Sequence, residues 1–378
     1  MDLLGPALLA FGAAVVGSLG GLGGAILLVP LLVVTGMSPT EAAPLGLVMV
    51  AASSIAAGPR QLRERSVNHR LGVTVELVAS SGAVVGAMVS GSMSETFLTY
   101  LLATVAALAA LAGAGRKGLR NLPDPACVDA DVGERVGAIA GAYRLSDEEI
   151  VPYRPERLGP GLAFMSLAGF VAGSAGASGG FIKTPAMTEL MKVPTRVAAA
   201  TTTFTVGITA SAALVIYAIQ GRVDVETASL IVSTSLLGGV VGASVQSRLS
   251  PAVTRRLLER AAAGDRRAPG GTGMTAARTP IPEGAVSTVR GRIQAPALTW
   301  LTRVVIAVGV LGAVLPGLAG TAVATAAVGA VMAAPLLRVA WLVFRWSQER
   351  DRRFIAVGLG LLSVIAVGAV LSALGVGA

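Results

Sequence analysis

Apolar runs broken by short polar or glycine-rich stretches follow one another along almost the whole chain. Leu3 to Thr35 is interrupted at GGLGG, and Ala42 to Gly58, Gly72 to Ser90 and Thr96 to Ala114 come next. Beyond a polar stretch, apolar sequence resumes over Leu158 to Pro185, Val197 to Gln220, Thr227 to Gln246, Ala295 to Leu315, Ala319 to Leu337 and Phe354 to Val376. Most of these runs are about 17 to 23 residues long. At about 1.5 Å per residue a helix of that length crosses roughly 30 Å of hydrocarbon. A membrane β-barrel needs short segments of alternating hydrophobicity, which these runs do not show. The pattern predicts an all-α polytopic membrane protein.

The pattern also repeats. GSLGGLGGAILLVP, Gly17 to Pro30, returns as GSAGASGGFIKTP, Gly173 to Pro185. Downstream, Met37, Pro39, Thr40 and Ala43 align with Met191, Pro194, Thr195 and Ala198, and GAVVGA from Gly82 returns as GGVVGA from Gly238. The offset stays near 155 residues, so the chain holds two copies of one unit. A stretch such as GGLGG holds a helix poorly and packs little against lipid, so each copy opens on a glycine-broken element.

Composition agrees with a bilayer protein. Hydrophobic residues make up 53% of the chain and charged ones 13%, with a mean hydropathy of +0.74. That is more apolar surface than a water-soluble core of this size can hide. The net charge of +9 comes from basic residues clustered in the loops, which reads as positive-inside topology rather than nucleic-acid binding. The N-terminus, MDLLGPALLAF, lacks the basic start of a signal peptide and is expected to be retained. The expected location is the plasma membrane, multi-pass, with the linkers cytoplasmic.

Equivalent loops carry opposite charge patterns. Pro39 to Ala43 has Glu41 and no cation, whereas its counterpart has Lys192 and Arg196. The next loop, with Arg60, Arg63, Arg65 and Arg70, is basic, whereas GRVDVE balances Arg222 against Asp224 and Glu226. The positive-inside rule then places equivalent loops on opposite sides, so the two halves are expected to be inverted-topology repeats. Inversion needs an odd number of crossings, yet each half shows four apolar elements. The glycine-broken element is therefore expected to be a re-entrant hairpin, its irregular tip enclosed by protein.

The expected organisation is a first membrane repeat over 1–115 and a cytoplasmic linker or small subdomain over 116–157, with at most one short helix near Val132 to Tyr143. A second repeat over 158–250, a basic cytoplasmic insertion over 251–294 and a last core helix over 295–315 follow. Two extra C-terminal transmembrane helices within 316–378 have no counterpart in the first half.

Candidate chemistry concentrates at the glycine tips. Helix ends at Gly20, Gly21, Gly23 and Gly24, and at Gly179 and Gly180, would leave backbone N–H groups for an anion. Ser18, Ser174, Ser178, Thr201, Thr202, Thr203 and Thr205 could add hydroxyl donors. Glycines at four-residue spacing also pack helices closely, and threonines can satisfy their own backbone, so both readings stand. Lys183 would lie inside the membrane, compensated by the anion, by Glu189, or by water reached along its stem. Glu76 reads as snorkelling to the interface or relaying protons, and His69 as a loop residue without a role. With one Cys, Cys127, and one His, no metal site or disulfide framework is available. The glycines lack the strand or GK[ST] of a nucleotide site, and no paired carboxylates, HExxH or GxSxG point to an enzyme. No cofactor is expected.

The doubled GGxGG, apolar, VP pattern followed by the MSP or KVP turn resembles the TauE/SafE family of sulfite-exporter-like permeases. The resemblance covers about Leu8 to Gly113 and Leu162 to Ser250. It implies secondary transport of small anions such as sulfite, thiosulfate or sulfoacetate, with the lipid bilayer as surroundings and the site between the two hairpins. The chain departs from the family pattern in its linker, its insertion, its two C-terminal helices, and in having Lys183 and Thr184 where aliphatic residues are usual. The alternative is a membrane scaffold or partner-binding subunit without transport activity.

Overall fold

A computed structural model describes residues 4–20, 24–63, 65–114, 133–144, 150–248, 300, 303–312, 315 and 317–377. The first half supplies α1 (Leu4–Gly20), α2 (Ala25–Val34), α3 (Pro39–Arg63), α4 (His69–Ser90) and α5 (Glu95–Ala114). The second supplies α6 (Leu158–Ala175), α7 (Gly180–Pro185) continued by a π-helical turn (Ala186–Leu190), α8 (Thr195–Ile219) and α9 (Val225–Arg248). A short helix, α10 (Arg303–Gly312), precedes α11 (Gly317–Gln348) and α12 (Arg352–Ala373). Among the described residues, α3, α4, α6, α8, α9, α11 and α12 are long and apolar enough to cross a membrane. The chain is an all-α polytopic membrane protein. Gly21, Gly23, Cys127 and the insertion at 251–294 lie outside the described residues, as do all of 116–132 and the start of the expected helix at 295–315.

The glycine stretches turn the chain back on itself. Gly176, in the left-handed region at φ +67°, ends α6, and Gly24 and Gly179 start α2 and α7. A methyl group at Gly24 would stand 2.5 Å from the Ala13 carbonyl oxygen, and one at Gly179 would stand 2.9 Å from that of Ala168. The two hairpins therefore correspond from their second helices onward, pairing Gly24 with Gly179 and Leu28 with Lys183. The second hairpin closes on its own entrance: the Glu156 N–H donates to the Met191 carbonyl at 2.9 Å, and the Met191 side chain fills the space beside Gly161. Pro185 lacks the N–H that would continue α7, and the chain widens there into the π-helical turn.

Packing between the halves is close and reciprocal. The first helix of each half lies on the fourth helix of the other, α6 on α4 and α1 on α9. A methyl at Gly169 would meet the Ala79 carbonyl oxygen at 1.8 Å, and one at Gly173 would meet that of Ala83 at 2.1 Å. Both numbers rise together, so α4 and α6 run side by side in the same direction, their backbones in contact through small residues. Gly173→Leu is expected to cost at least about 3 kcal/mol, because the overpacked atoms are backbone rather than flexible side chain. Gly159, with open space around it, is the control: melting of the purified protein should fall for Gly173→Leu and not for Gly159→Ala.

Central and peripheral helices differ in burial: 83% of the apolar window of α3 and 78% of that of α8 are buried, against 33% and 28% for α11 and α12. The Ser54 hydroxyl of α3 donates to the Thr203 carbonyl of α8 at 2.8 Å. The C-terminal helices thus lie at the periphery of the helix bundle.

The linker holds strands where a short helix was expected. β1 (Gly133–Glu134), β2 (Gly141–Arg144) and β3 (Ile150–Tyr153) form an antiparallel sheet in that order, with Gly141 opposite Tyr153 and Arg144 opposite Ile150. Gly137, at φ +75°, makes the turn that pairs β1 with β2, and Tyr143 and Tyr153 bury their rings against α4 and α6. Pairing across strands and burial of these aromatics outweigh the weak local helix preference.

Arg70 ties the sheet and the C-terminal helices to α4. The sequence placed it in a basic loop, but it is 1% exposed and lies in the first turn of α4. Its guanidinium donates to Glu134 at 3.1 Å, Asp351 at 3.1 Å and Glu349 at 2.5 Å, and stands over the rings of Trp346 and Phe354. Burial alone would raise the Glu134 carboxyl. His69 at 3.7 Å and two hydrogen bonds from Arg70 hold it instead at about 2. At about 48 Å by its residue count, α11 outruns the hydrocarbon, which lets its end reach this cluster.

Candidate functional site

The first turn of α7 carries a lysine into the protein interior. Lys183 and Glu76 are both 0% exposed. The Lys183 ammonium donates to Glu76 Oε2 at 2.7 Å and to Thr209 Oγ1 at 2.5 Å. The Thr209 hydroxyl in turn donates to Glu76 Oε1, to which Ser80 Oγ also donates at 2.8 Å. Glu76 stands about two turns into α4, and Gly179, just before α7, lies beside the middle of α6. The hairpin brings a lysine 107 residues from its carboxylate into contact with it.

This arrangement corrects two expectations. Lys183 is compensated neither by Glu189 nor by snorkelling to water, but by Glu76 and Thr209. Glu76 does not snorkel, because its carboxylate has three protein donors within the core. A lone lysine in one apolar run and a lone glutamate in another was the signal available in the sequence, since intramembrane charges tend to pair.

The ammonium has three N–H groups and two acceptors among the described residues, leaving one hydrogen without a protein partner. Beside it in sequence, the Thr184 hydroxyl is buried with no hydrogen-bond partner among the described residues. The other candidates are more dispersed. Thr205 is joined to the cluster through its carbonyl, 3.1 Å from the Thr209 hydroxyl oxygen, and its own hydroxyl donates to Thr202 O. The Ser174 hydroxyl is spent on Phe170 O, and Ser178 accepts from the Gly180 N–H. Thr201 accepts from the Asn68 N–H at the start of α4, and Thr202 faces Met187. Thr203 donates to Ala199 O. Gly20 ends α1, and Gly24 lies against Ala13 and Met49.

His69 is not a loop residue. It begins α4, stacks edge-on against Phe204, and sits 3.3 Å from a guanidinium nitrogen of Arg338. Tyr217, which sequence reading passed over, anchors the far end of α8 by donating to the Gly173 carbonyl at 2.8 Å, under the Arg222 guanidinium.

A family model described as "Sulfite exporter TauE/SafE" matches residues 7–260. The match takes in both hairpins, the Lys183 pair and the linker, and stops before α10, α11 and α12. The "Probable membrane transporter protein YunE" of Bacillus subtilis (strain 168) is similar at 26% identity over 256 residues, 63% of this chain and 86% of that protein. No solved structure matches.

Proposed function

We infer, from the premise that this chain belongs to the sulfite exporter TauE/SafE family, that it is a membrane transporter whose cargo is a small anion, taken up at the Lys183 ammonium between the two glycine hairpins. The observation that carries the anion is Lys183 itself: a fully buried cation with one hydrogen unpaired among the described residues, in a hairpin whose matching position, Leu28, is apolar and equally buried. The fold of the hairpin does not need the charge, so the charge serves something else. A sulfur oxyanion, sulfonate or carboxylate would place one oxygen on that hydrogen, within reach of charge-assisted hydrogen bonding.

The pairing of equivalent helices supports alternating access by inverted halves. α8 follows α4 in direction, with Thr201 by Asn68 and Tyr217 by Ser90. α3 runs the other way, from Ala43 beside the far tip Gly176 to Ser54 beside Thr203. Cysteines placed at Arg65 and Arg196 in a Cys127→Ser background are expected to react with an impermeant maleimide only after the membrane is opened. Labelling of just one of them from outside would contradict the inversion.

Transport is tested by uptake of radiolabelled sulfite, thiosulfate, sulfoacetate, methanesulfonate and acetate into proteoliposomes. Saturable uptake of at least one, abolished by heat-inactivating the protein, is expected. If none moves, a scaffold that works through its sheet and C-terminal helices becomes the better reading.

A further inference from the structure

We propose that Glu76 carries a proton with each anion: the anion becomes the counter-ion of Lys183, on the remaining ammonium hydrogen, when the Glu76 carboxylate is protonated. This rests on the transport reading above and adds its coupling. As the structure stands, the ammonium and the carboxylate cancel, and both are sealed from solvent. An anion arriving alone would leave net negative charge in a water-excluded interior, which the low-dielectric surroundings oppose. A proton on Glu76 restores neutrality for a monoanion, because the ammonium then faces the anion and the neutral acid stands beside it.

The partners of Glu76 suit both states. Thr209 and Ser80 reach it through hydroxyl groups, which donate to a carboxylate and can equally accept from a carboxylic acid. A backbone N–H or a guanidinium could not reverse in this way. The comparison between the repeats points the same way. The position matching Glu76 is Val232 and that matching Lys183 is Leu28, both fully buried, so the other copy carries no ion pair at these positions.

The remaining charged and titratable groups on the packed elements are engaged elsewhere or stand at element ends. On α4, Arg70 is bound to three carboxylates and His69 lies between Glu134 and Arg338. α6 has no titratable side chain. On α8, Arg196 is engaged and the Tyr217 phenol donates to a carbonyl. Glu189 is at the end of the π-helical turn, Glu95 at the start of α5 with Tyr100 exposed beyond it, and Arg352 and Arg353 at the start of α12. Glu76 is the carboxyl in contact with Lys183. In the cycle the proton comes from water on the side of entry, resides on a Glu76 oxygen while the anion is on Lys183, and leaves to the other side as the ion pair re-forms. No other bond changes.

The test uses the full-length protein in proteoliposomes with the membrane potential clamped and pyranine inside. Methanesulfonate is the decisive probe because it is a monoanion without a proton of its own near neutral pH, and thiosulfate, a dianion there, is run beside it. With the outside one pH unit more acidic, methanesulfonate is expected to accumulate about tenfold, with one proton entering per anion. Glu76→Gln should lose the response to the gradient, and Glu76→Asp, which keeps a titrating carboxyl, should retain it. Uptake of a probe by the wild type with no proton movement overturns the coupling and leaves the transport reading in place. A gradient response in Glu76→Gln equal to that of the wild type overturns the assignment to Glu76. Failure of every probe to move overturns the transport reading and the coupling with it.

Discussion

Lys183→Met is expected to lower anion uptake by a factor of ten to a hundred and to destabilise the protein as well, and the two effects separate in a double variant. The uptake loss follows from removing a charge-assisted hydrogen bond, worth about 1.5–3 kcal/mol. The stability loss follows from Glu76. With the ammonium gone, its carboxylate keeps only the Thr209 and Ser80 hydroxyls in a fully buried site. Breaking a buried pair by removing one partner costs about 3–5 kcal/mol, whereas replacing both partners by neutral groups is often close to neutral. Lys183→Met with Glu76→Gln should therefore recover most of the melting temperature lost by Lys183→Met alone, and should recover none of the uptake. Thermal melts in detergent and uptake in proteoliposomes read the two quantities independently. A Lys183→Met protein with wild-type uptake would remove the lysine from the site.

Arg70→Met is expected to be the more damaging structural change. It leaves Glu134, Glu349 and Asp351 gathered around an apolar side chain, with Glu134 within hydrogen-bonding distance of the Arg70 N–H. The loss should be about 3–5 kcal/mol, at the upper end because three carboxylates lose one shared partner. Arg70→Lys should rescue only part of it, since an ammonium has no planar fork to reach three acceptors at once. The turn joining α11 to α12 should come loose from α4. Arg350 lies in that turn and Arg352 and Arg353 open α12 just after it, so brief trypsin treatment is expected to cut Arg70→Met there and spare the wild type. Equal melting temperatures and equal protection would show that the cluster does not hold the C-terminal helices.

The parts of the fold that rest on local pattern were readable from sequence. Apolar runs of membrane length became α3, α4, α6, α8 and α9, and the glycine stretches became turns that fold α2 and α7 back onto the helices before them. Pairings between distant segments were not readable. Glu76 and Lys183 lie 107 residues apart, and neither run's periodicity says which face meets the other. Arg70 sits 64 residues from Glu134 and 281 from Asp351, so it read as one more basic loop residue. The sheet was missed because Gly133 to Tyr153 is short and polar, and its strands are held by cross-strand pairing and two tyrosines rather than by alternation. The threonines early in α8 read as anion donors, but Thr203 and Thr205 bond their own helix, a use that spacing alone cannot distinguish.

Equilibrium binding of radiolabelled methanesulfonate and thiosulfate to the purified protein, beside the Lys183→Met with Glu76→Gln double variant, tests the anion seat most directly. The variant removes both charges of the pair and so keeps the net charge of the protein. Saturable binding of one anion per wild-type chain, and none by a double variant that still melts cooperatively, is the result expected. Binding by the folded double variant with wild-type affinity would contradict it and place the anion away from Lys183.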